Sequence, residues 1–542
     1  MADSQLSLVH GSEDLYTSMG NQLEEILRNC TLKKGTFSRY ILNTKTVIDG
    51  DRLKRETFGE KDESKLHKTI LMVGETGTGK STLINAIVNY MLDVQWENKI
   101  WCEIIETKEN QPDSQTNTVT VYDVFAEKSP FSLTLIDTPG FANTDGIEKD
   151  ANIAETLHEL FRSKDGVPEI DAVCLVVSAK MTRLTNFQQQ IFDDVLSLFG
   201  VDVEKNIVVL MTNVQNKPVN AVKAIKASKV KCAKTPKGKP VHFCFDNSHC
   251  EEFQDDDEDD EETDGAEQNH KYKDLWVKNE KTMKDFFAFL NNATSINVKL
   301  TEHVLRKRKQ LTACITNLND RITLIELRKT ELEQKKAALE KCEKEKKNKN
   351  DFECEVEEPY KEKVPVPFRR WLLGKKATCC SVCKENCHYP GCWWVRDLRW
   401  CSVMSDGKCT VCTGKCKYTE HVKEGKMYVL KTRKVTKTIE DLKKKYEVES
   451  GEKMSLKRRL ENEIKMYETE KNKLVDDSYQ YIISLEEIAL NPTAVSTLQH
   501  LDFLIEKMKE TKDNKREQKF QELKKRIENK TRNETPGLGP VA

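Results

Sequence analysis

Residues 74–81 of this 542-residue chain read Gly-Glu-Thr-Gly-Thr-Gly-Lys-Ser, which is the spacing of a phosphate-binding loop. The loop follows an apolar run at 69–73 and precedes a helical pattern at 82–88, the strand–loop–helix setting that this motif requires. Backbone N–H groups of the loop would surround the phosphates, and the start of the helix favours an anion. Lys80 would contact the β- and γ-phosphate oxygens and Ser81 would bind Mg²⁺. The candidate phosphate-binding residues are Gly74, Glu75, Thr76, Gly77, Thr78, Gly79, Lys80, Ser81 and Thr82.

A second motif, at 133–140, is an apolar strand that ends in Asp-x-x-Gly. Asp137 would hold Mg²⁺ through water, and the N–H of Gly140 would sense the γ-phosphate. An ABC-type ATPase has a catalytic Glu directly after this Asp, whereas this chain has Thr138, so the pattern favours a GTPase-type switch. Ras-like enzymes place a water-orienting Gln after the Gly, and here that residue is Phe141, so we expect slow intrinsic hydrolysis.

The threonine that closes over Mg²⁺ in such switches has two favoured candidates, Thr116 and Thr118, before a predicted strand at 119–125. Thr120, inside that strand, is a third. An ordinary strand threonine is the alternative at each position, and the sequence does not choose among them.

The segment that should recognise the base departs from the usual motif. G proteins carry [Asn/Thr]-Lys-x-Asp after the strand predicted here at 207–211, and this chain has Thr212, Asn213, Val214 and Gln215. The usual Asp accepts two hydrogen bonds from guanine, whereas Gln215 offers one accepting oxygen and an NH₂ group. A preference for guanine therefore does not follow from this motif.

Three motifs together resemble those of the immunity-associated GTPases, in the septin-like branch of G proteins. They are the loop that begins at Gly74, the Asp-Thr-Pro-Gly-Phe strand end at 137–141, and the box Thr-Arg-Leu-Thr-Asn-Phe-Gln-Gln-Gln at 182–190. The resemblance covers roughly residues 68–295. It implies binding of GTP or GDP with Mg²⁺, and it is the basis for expecting guanine.

The same resemblance implies roles for two more residues. Arg183, in the box, can be supplied across a homodimer formed through the nucleotide faces and would act as an arginine finger. A surface ion pair is the alternative. Asn247 matches the last base-contacting segment of the family, and its alternative role is to cap a turn.

Composition predicts several domains and long solvated helices. Length alone suggests about three to four domains, and 33% of the residues are charged against 37% hydrophobic. The net charge of −1 predicts no attraction to nucleic acid. We expect no signal peptide, no transmembrane segment and a cytoplasmic location.

The predicted fold is an α/β P-loop NTPase with a mostly parallel, doubly wound sheet, followed by a long helical coiled coil with a small inserted zinc-type module. The predicted order is an N-terminal extension at 1–66 with helix around 13–30, a G domain at 67–295 with an acidic insert at 251–265, a coiled-coil helix at 298–350, a Cys/His module at 376–425, a returning helix at 436–483, C-terminal helices at 484–529 and a disordered tail at 530–542.

The coiled coil is predicted from apolar residues between Val304 and Leu339 that follow alternating three- and four-residue steps. A second charged helical stretch begins near Ile439. An antiparallel hairpin with the Cys/His module at its tip is the simplest arrangement. Pairing between two chains is the alternative, and it would give a homodimer or a higher oligomer.

The Cys/His module contains ten residues with the spacing of zinc ligands: Cys380, Cys383, Cys387, His388, Cys392, Cys401, Cys409, Cys412, Cys416 and His421. One predicted site consists of Cys380, Cys383, Cys409 and Cys412. The second predicted site consists of Cys387, either His388 or Cys392, Cys416 and His421. Because so short a segment cannot fold on apolar burial alone, we expect two structural Zn²⁺ ions, with free or disulfide-linked cysteines as the alternative.

The whole layout resembles a group of large animal G-domain proteins that carry a coiled coil and such a module. The favoured interpretation is a GTP-binding switch or scaffold, a slow GTPase activated by dimerisation, whose zinc module binds an unknown protein partner. One alternative is an SMC-like ATPase with a metal tip, which requires a second ATPase half after the coil. The other alternative is a nucleotide-regulated interaction protein without meaningful turnover.

Overall fold

The structure is a computed structural model. It describes residues 21–28, 30–33, 38–106, 118–141, 147–163, 165–181, 186–215, 217–248, 264–344, 353–366, 376–392, 395–438, 456–492, 495–510 and 513–532. These residues form two compact units. The first is drawn from Met1–His303, Ile488–Ala494 and Glu528–Ala542, and the second from Val304–Glu487 and Val495–Ile527. Among the described residues, no helix combines the length and the apolar character needed to span a membrane.

The first unit is organised by an eight-stranded mixed sheet with the order β12-β11-β10-β5-β8-β7-β4-β3. Five strands are mutually parallel, and β7 runs antiparallel to its neighbour β8. The strands are β3 (Lys45–Asp49), β4 (Leu53–Phe58), β5 (His67–Gly74), β7 (Val119–Val124), β8 (Ser132–Asp137), β10 (Ala172–Ser178), β11 (Ile207–Thr212) and β12 (His242–Cys244). The strands predicted at 69–73, at 119–125, before Asp137 and at 207–211 are all present, as β5, β7, β8 and β11. The sheet begins before residue 67, because β3 and β4 come from the predicted N-terminal extension.

Helices cover this sheet because its strands are apolar on both faces. The first-unit helices are α1 (Asn21–Arg28), α2 (Lys80–Met91), α3 (Ile147–Arg162), α4 (Asn186–Leu196), α5 (Val219–Ala227) and α6 (Asp264–Asn292). One core cluster joins α1, α2 and α6 to alternate strand residues such as Ile70 and Met72. Leu71 and Val73 point to the other face, since successive strand residues alternate.

Smaller sheets complete the first unit. A three-stranded sheet of order β1-β2-β6 contains β1 (Thr31–Lys33), β2 (Ser38–Ile41) and β6 (Ile100–Glu103). A short antiparallel pair joins β9 (Glu169–Ile170) to β13 (Ile296–Asn297). Short 3₁₀ helices lie at Trp96–Asn98 and Val201–Asn206. The predicted acidic insert lies outside the described residues except for its last two positions, which begin α6.

The second unit is built on long helices: α7 (Lys299–Lys344), α8 (Leu456–Ile488), α9 (Val495–Glu510) and α10 (Asn514–Arg532). Ion pairs show that α7 and α8 run antiparallel, since Arg321 pairs with Glu470 and Lys336 pairs with Glu461. Apolar residues of the predicted seam, including Leu318 and Ile322, are buried. The described chain therefore packs this seam within itself.

A β-ribbon links α7 to the cysteine module. It pairs β14 (Glu353–Pro365) with β20 (Lys426–Thr438) over thirteen residues each. The module itself contains β15 (Ala377–Cys380), β16 (Glu385–His388), β17 (Met404–Ser405), β18 (Lys408–Cys409) and β19 (His421–Glu424), with 3₁₀ helices at Leu398–Trp400 and Tyr418–Glu420.

The prediction that the module lies at the tip of a helical hairpin is wrong. The ribbon, about 40 Å long at ~3.3 Å per residue, runs back along α7, where Glu357 N donates to Gln334 Oε1 at 3.1 Å. The module then meets α7 nearer its start, where Gln310 Nε2 donates to Ser402 O at 3.0 Å. It lies against the side of the helix.

Candidate nucleotide site and cysteine module

The phosphate-binding loop lies where the sequence placed it. Gly74 ends β5, residues 75–79 form the turn, and Lys80, Ser81 and Thr82 begin α2. Gly79 precedes the helix with φ of 81°, a left-handed conformation that favours glycine. This turn aims the first free N–H groups of α2 at the space above the sheet edge.

Lys80 is held at the loop by two carbonyl groups. Its Nζ donates to Gly74 O at 3.2 Å and to Glu75 O at 3.0 Å. Burial lowers the pKa of Lys80, while the negative charges of Asp137 and Glu75 act to raise it. An ammonium group with few solvent contacts is well suited to pair with an anionic phosphate, because phosphate oxygens would replace the lost hydration.

The Asp-x-x-Gly segment lies directly against the phosphate-binding loop. Phe141 N donates to Gly74 O at 3.2 Å, and Phe141 forms a parallel bridge with Glu75. At Gly140 an added Cβ would lie 2.1 Å from Thr76 Oγ1 and 2.6 Å from Thr76 Cα, so glycine is required for this close approach. The predicted meeting of the two motifs is thus present in the structure.

The structure describes Asp137 and two of the three candidate threonines, Thr118 and Thr120. Asp137 is buried at the end of β8, and Thr120 is its strand partner on β7. Thr118 lies two residues earlier, at the same edge of the sheet, and its hydroxyl donates to Asp51 O at 3.2 Å. Thr116 lies outside the described residues, so the choice between Thr116 and Thr118 stays a prediction.

The base-recognition segments come together at the ends of β11 and β12. Thr212 Oγ1 donates to Thr78 O at 2.7 Å, which ties the end of β11 to the phosphate-binding loop. Asn213 follows with a positive φ of 55°, and Val214 N donates to Phe245 O at 3.1 Å. Gln215 is exposed.

Asn279 is a residue that sequence reasoning missed. Its Nδ2 donates to Asn247 Oδ1 at 3.0 Å and to Asp246 O at 2.7 Å, and its Oδ1 accepts from Asp246 N at 3.0 Å. It therefore orients the loop that carries Asn247 from the middle of α6. Because Asn279 is a single polar residue in a long, charged helix, no sequence motif indicated this role.

Residues 68–224 match the model of the AIG1 family. These residues are an AIG1-family domain. No curated protein matches the chain.

Solved structures that resemble the chain include three of Toc33 and related proteins. Toc33 from Arabidopsis thaliana with Mg²⁺ and GMPPNP is 16% identical, covers 44% of this chain and 90% of that chain, and has a TM-score of 0.29. The same protein with GDP and Mg²⁺ is 16% identical over 43% and 88%, with a TM-score of 0.28. A structure from work on dimerisation in the GTPase activity of atToc33 and psToc159 is 15% identical over 44% and 88%, with a TM-score of 0.30. These likenesses are too distant to assign the neighbours' activities to this chain.

The box at 182–190, which contains Arg183, is only partly described in the structure. Arg183 itself is outside them, and α4 begins three residues later at Asn186. Gln188, in the first turn of α4, donates to Glu75 Oε2 at 3.4 Å. The described end of the box therefore contacts the phosphate-binding loop at Glu75, and the role of Arg183 stays a prediction.

The cysteine module brings all ten candidate ligands into three groups. Within each group, the possible ligand atoms lie within 4.8 Å of one another. The first group is Cys380, Cys383, Cys412 and Cys416. The second group is Cys387, Cys409, Cys412 and His421. The third group is His388, Cys392 and Cys401.

The structure groups the ten predicted ligands differently from the predicted pairing. Cys416 joins the first group in place of Cys409, and Cys383 Sγ lies 3.6 Å from Cys416 Sγ. Cys409 N donates to Cys416 O at 2.8 Å, which closes the loop that contains Cys409 and Cys412. In this loop, Cys409 lies with Cys387 and His421. Two Cys-x₂-Cys pairs need not share one metal.

Geometry around the sulfur atoms fits metal ligands. Tetrahedral zinc with bonds of ~2.3 Å places two sulfurs about 3.8 Å apart, close to the 3.6 Å between Cys383 Sγ and Cys416 Sγ. Backbone N–H groups point at the sulfurs: Cys383 N lies 3.3 Å from Cys380 Sγ, and Cys412 N lies 3.4 Å from Cys409 Sγ. Such donors stabilise thiolates in metal sites. The nine cysteines from Cys379 to Cys416 are free of disulfide bonds.

Cys379 does not belong to any of the three groups. It is buried in β15, and its Sγ lies 3.4 Å from Asn386 Oδ1. Burial raises the pKa of Cys379 to about 11, which keeps it a neutral thiol at neutral pH.

Proposed function

We propose that the chain is a GTP-binding switch that hydrolyses GTP slowly and becomes active when two G domains meet through their nucleotide faces. One observation carries the proposal: Gly140 and Phe141 lie directly against the phosphate-binding loop at Thr76 and Gly74. A γ-phosphate at this point would contact both motifs at once. The arrangement can therefore distinguish GTP from GDP.

Within this proposal, Lys80 neutralises the β- and γ-phosphates, and Ser81 and Asp137 hold Mg²⁺, Asp137 through water. Thr116 or Thr118 would close over the ion. Thr212, Asn213, Gln215 and Asn247 would surround the base. Guanine is proposed because residues 68–224 match the AIG1 family, since Gln215 alone does not dictate it.

The proposed rate enhancement comes from a second chain. Phe141 is buried and cannot orient a water molecule, so residues 138–141 provide no group like the Gln of Ras-like enzymes. Arg183, five residues before the Gln188 that contacts Glu75, is proposed to enter the partner's nucleotide site. Arginine fingers contribute ~10³–10⁵ in rate.

The cysteine module is proposed to bind zinc and to present a surface to a protein partner. Val382, between Cys380 and Cys383, is 62% exposed and would be accessible to such a partner. The proposed compartment is the cytosol, on the sequence ground that clustered cysteines stay reduced there.

The test measures GTP and ATP hydrolysis by the full chain as protein concentration rises. Specific activity for GTP should climb with concentration, and Arg183→Ala should remove that climb. Two controls belong beside it: Arg183→Lys keeps the charge without the fork geometry, and Lys180→Ala removes an exposed neighbouring cation. Activity that is independent of concentration, or unchanged in Arg183→Ala, would reject the dimer mechanism.

A second candidate function is a nucleotide-regulated interaction protein without turnover, and buried Phe141 favours it. Tight GTP binding with no hydrolysis at any concentration would select this candidate. ATP preference would instead favour the SMC-like ATPase, although the described residues after 456 contain no strand of a second ATPase half.

A further inference from the structure

Cys412 belongs to two of the three ligand groups at once. Its Sγ lies within 4.8 Å of every ligand atom of the first group and of the second group. Together, these two groups contain seven different side chains. Two four-coordinate ions that share one thiolate need seven protein ligands.

We propose that Cys412 is a bridging thiolate between two zinc ions, and that His388, Cys392 and Cys401 hold a third ion. This inference rests on the proposal that the module binds zinc, and it changes the number of ions from two to three. It also assigns the ligands of each ion.

Ligand count and burial support the bridge. If Cys412 bound only one ion, the other would retain three side chains, either Cys380, Cys383 and Cys416 or Cys387, Cys409 and His421. The second group is buried throughout, so water does not readily supply its fourth ligand. A shared thiolate completes both ions, and it reduces the number of negative charges placed together in the interior.

The third group has zinc-like distances of its own. His388 Nδ1 lies 3.3 Å from Cys401 Sγ and 3.7 Å from Cys392 Sγ, where tetrahedral zinc would separate such atoms by roughly 3.6 Å. All three side chains are buried. Ser402 Oγ lies 3.1 Å from Cys392 Sγ, so this hydroxyl or a water molecule bound beside it provides an oxygen as fourth ligand.

The third ion would hold the part of the module that packs on α7. Cys401 immediately precedes Ser402, whose carbonyl accepts from Gln310 of α7, and Arg306 of α7 bonds to Met404 O. An ion at this point would fasten the loop around Cys401 to β16 through His388. Its loss should loosen the module from α7 without disturbing the other two ions.

The experiment counts zinc per chain in the purified full-length protein by inductively coupled plasma mass spectrometry. We expect three ions in the native chain, two in Cys401→Ser, and one in Cys412→Ser, because the bridge serves two ions. Cys379→Ser is the matched control: this buried cysteine neighbours Cys380 but lies outside every group, and it should leave three ions.

Substituted chains can misfold, so a second measurement uses the native sequence. In protein loaded with ¹¹³Cd, a shared thiolate produces spin coupling between two of three cadmium NMR signals, and the third signal stays uncoupled. A native chain that binds only two ions, with the same two ions retained in Cys401→Ser, would overturn the third site. Three uncoupled signals, or loss of one ion in Cys412→Ser, would overturn the bridge. A chain that binds no zinc would overturn both this inference and the proposed zinc module.

Discussion

Asn491 donates a hydrogen bond from Nδ2 to Asp193 Oδ1 at 2.9 Å, although the two residues are 298 positions apart. Asp193 lies on α4, the helix whose first turn reaches Glu75 through Gln188. Beside this bond, Leu490 N donates to Phe199 O at 2.9 Å. The segment after α8 is therefore part of the packing around α4.

The pKa of Asp193 makes this packing sensitive to pH. Burial raises the pKa to about 6, against hydrogen bonds from Gln189 and Asn491 that act to lower it. The folded chain therefore holds a proton between pH 4 and 6 that the unfolded chain has lost, and the stability due to this group falls as pH rises through that window. Asp193→Asn should raise the free energy of unfolding at pH 8 by about 2–3 kcal/mol and have little effect near pH 4.

Urea titrations at pH 4.5 and pH 8 measure this difference. Asp93→Asn is the control, since Asp93 pairs at the surface with Lys128 at 2.9 Å and should show no such gain. If Asp193→Asn changed the free energy of unfolding equally at both pH values, this would contradict the raised pKa of Asp193.

A buried ion pair stabilises the start of β5. Lys68 Nζ lies 3.0 Å from Asp171 Oδ1, and both side chains are almost inaccessible to solvent. Lys68→Ala leaves the Asp171 charge buried without its cation, which typically costs ~3–5 kcal/mol. Lys128→Ala, which removes the exposed pair with Asp93, should cost less than about 1 kcal/mol. Urea titration measures the free energy of unfolding of both variants. Similar losses in the two would show that burial of the pair is unimportant.

Gly140→Ala should separate the switch from the phosphate-binding loop. The new Cβ would overlap Thr76 backbone atoms, so the segment at Gly140 and Phe141 must move away. We expect the affinity for a non-hydrolysable GTP analogue to fall by about tenfold or more, with a smaller effect on GDP, because only the γ-phosphate reaches this segment. Fluorescence titration with labelled nucleotides measures both affinities.

The matched control for that variant is Gly238→Ala. Gly238 has a positive φ of 69°, which strains alanine locally, but nothing lies within 4 Å of its added Cβ. It should leave nucleotide affinity unchanged. If Gly140→Ala bound the GTP analogue as tightly as the native chain, the close contact between Gly140 and Thr76 would be absent from the nucleotide-bound protein.

Gln215→Asp should increase affinity for guanine nucleotides. A carboxylate accepts two hydrogen bonds from guanine, and bonds to a charged group contribute about 1.5–3 kcal/mol each. We expect at least tenfold tighter GDP binding and no gain for ADP, measured by isothermal titration calorimetry. Gln215→Asn keeps the amide and should show no gain. Equal gains for GDP and ADP would place residue 215 away from the base.

Much of the G domain could be predicted because its signals are local. The phosphate-binding loop at 74–81 and the strand ending at Asp137 are contiguous motifs bounded by apolar strands, so their positions follow from spacing. Their contact through Gly140 and Thr76 follows from the parallel pairing of β5 and β8.

The ribbon, the position of the module and its ligand groups escaped prediction for physical reasons. β14 reads Glu-Cys-Glu-Val-Glu-Glu-Pro-Tyr-Lys-Glu-Lys-Val-Pro, and its pairing with β20 is supported by ion pairs such as Arg433–Glu358 rather than by an apolar face. Hydrophobic periodicity gives little signal for such a strand. The ligand groups depend on how three short strands fold over one another, which spacing does not specify.

The segment at 488–492 has a consequence for where the G domain can be cut. Ala489 and Leu490 are buried, Ala489 bridges to Gly200, and Gly200 N is also bonded to Thr301 Oγ1. A fragment that ended at residue 295 would expose the apolar surface around Phe199 and lose the pairing of β13 with β9. The nucleotide-binding unit is thus discontinuous along the chain, and it is completed only after the ribosome has added nearly two hundred further residues.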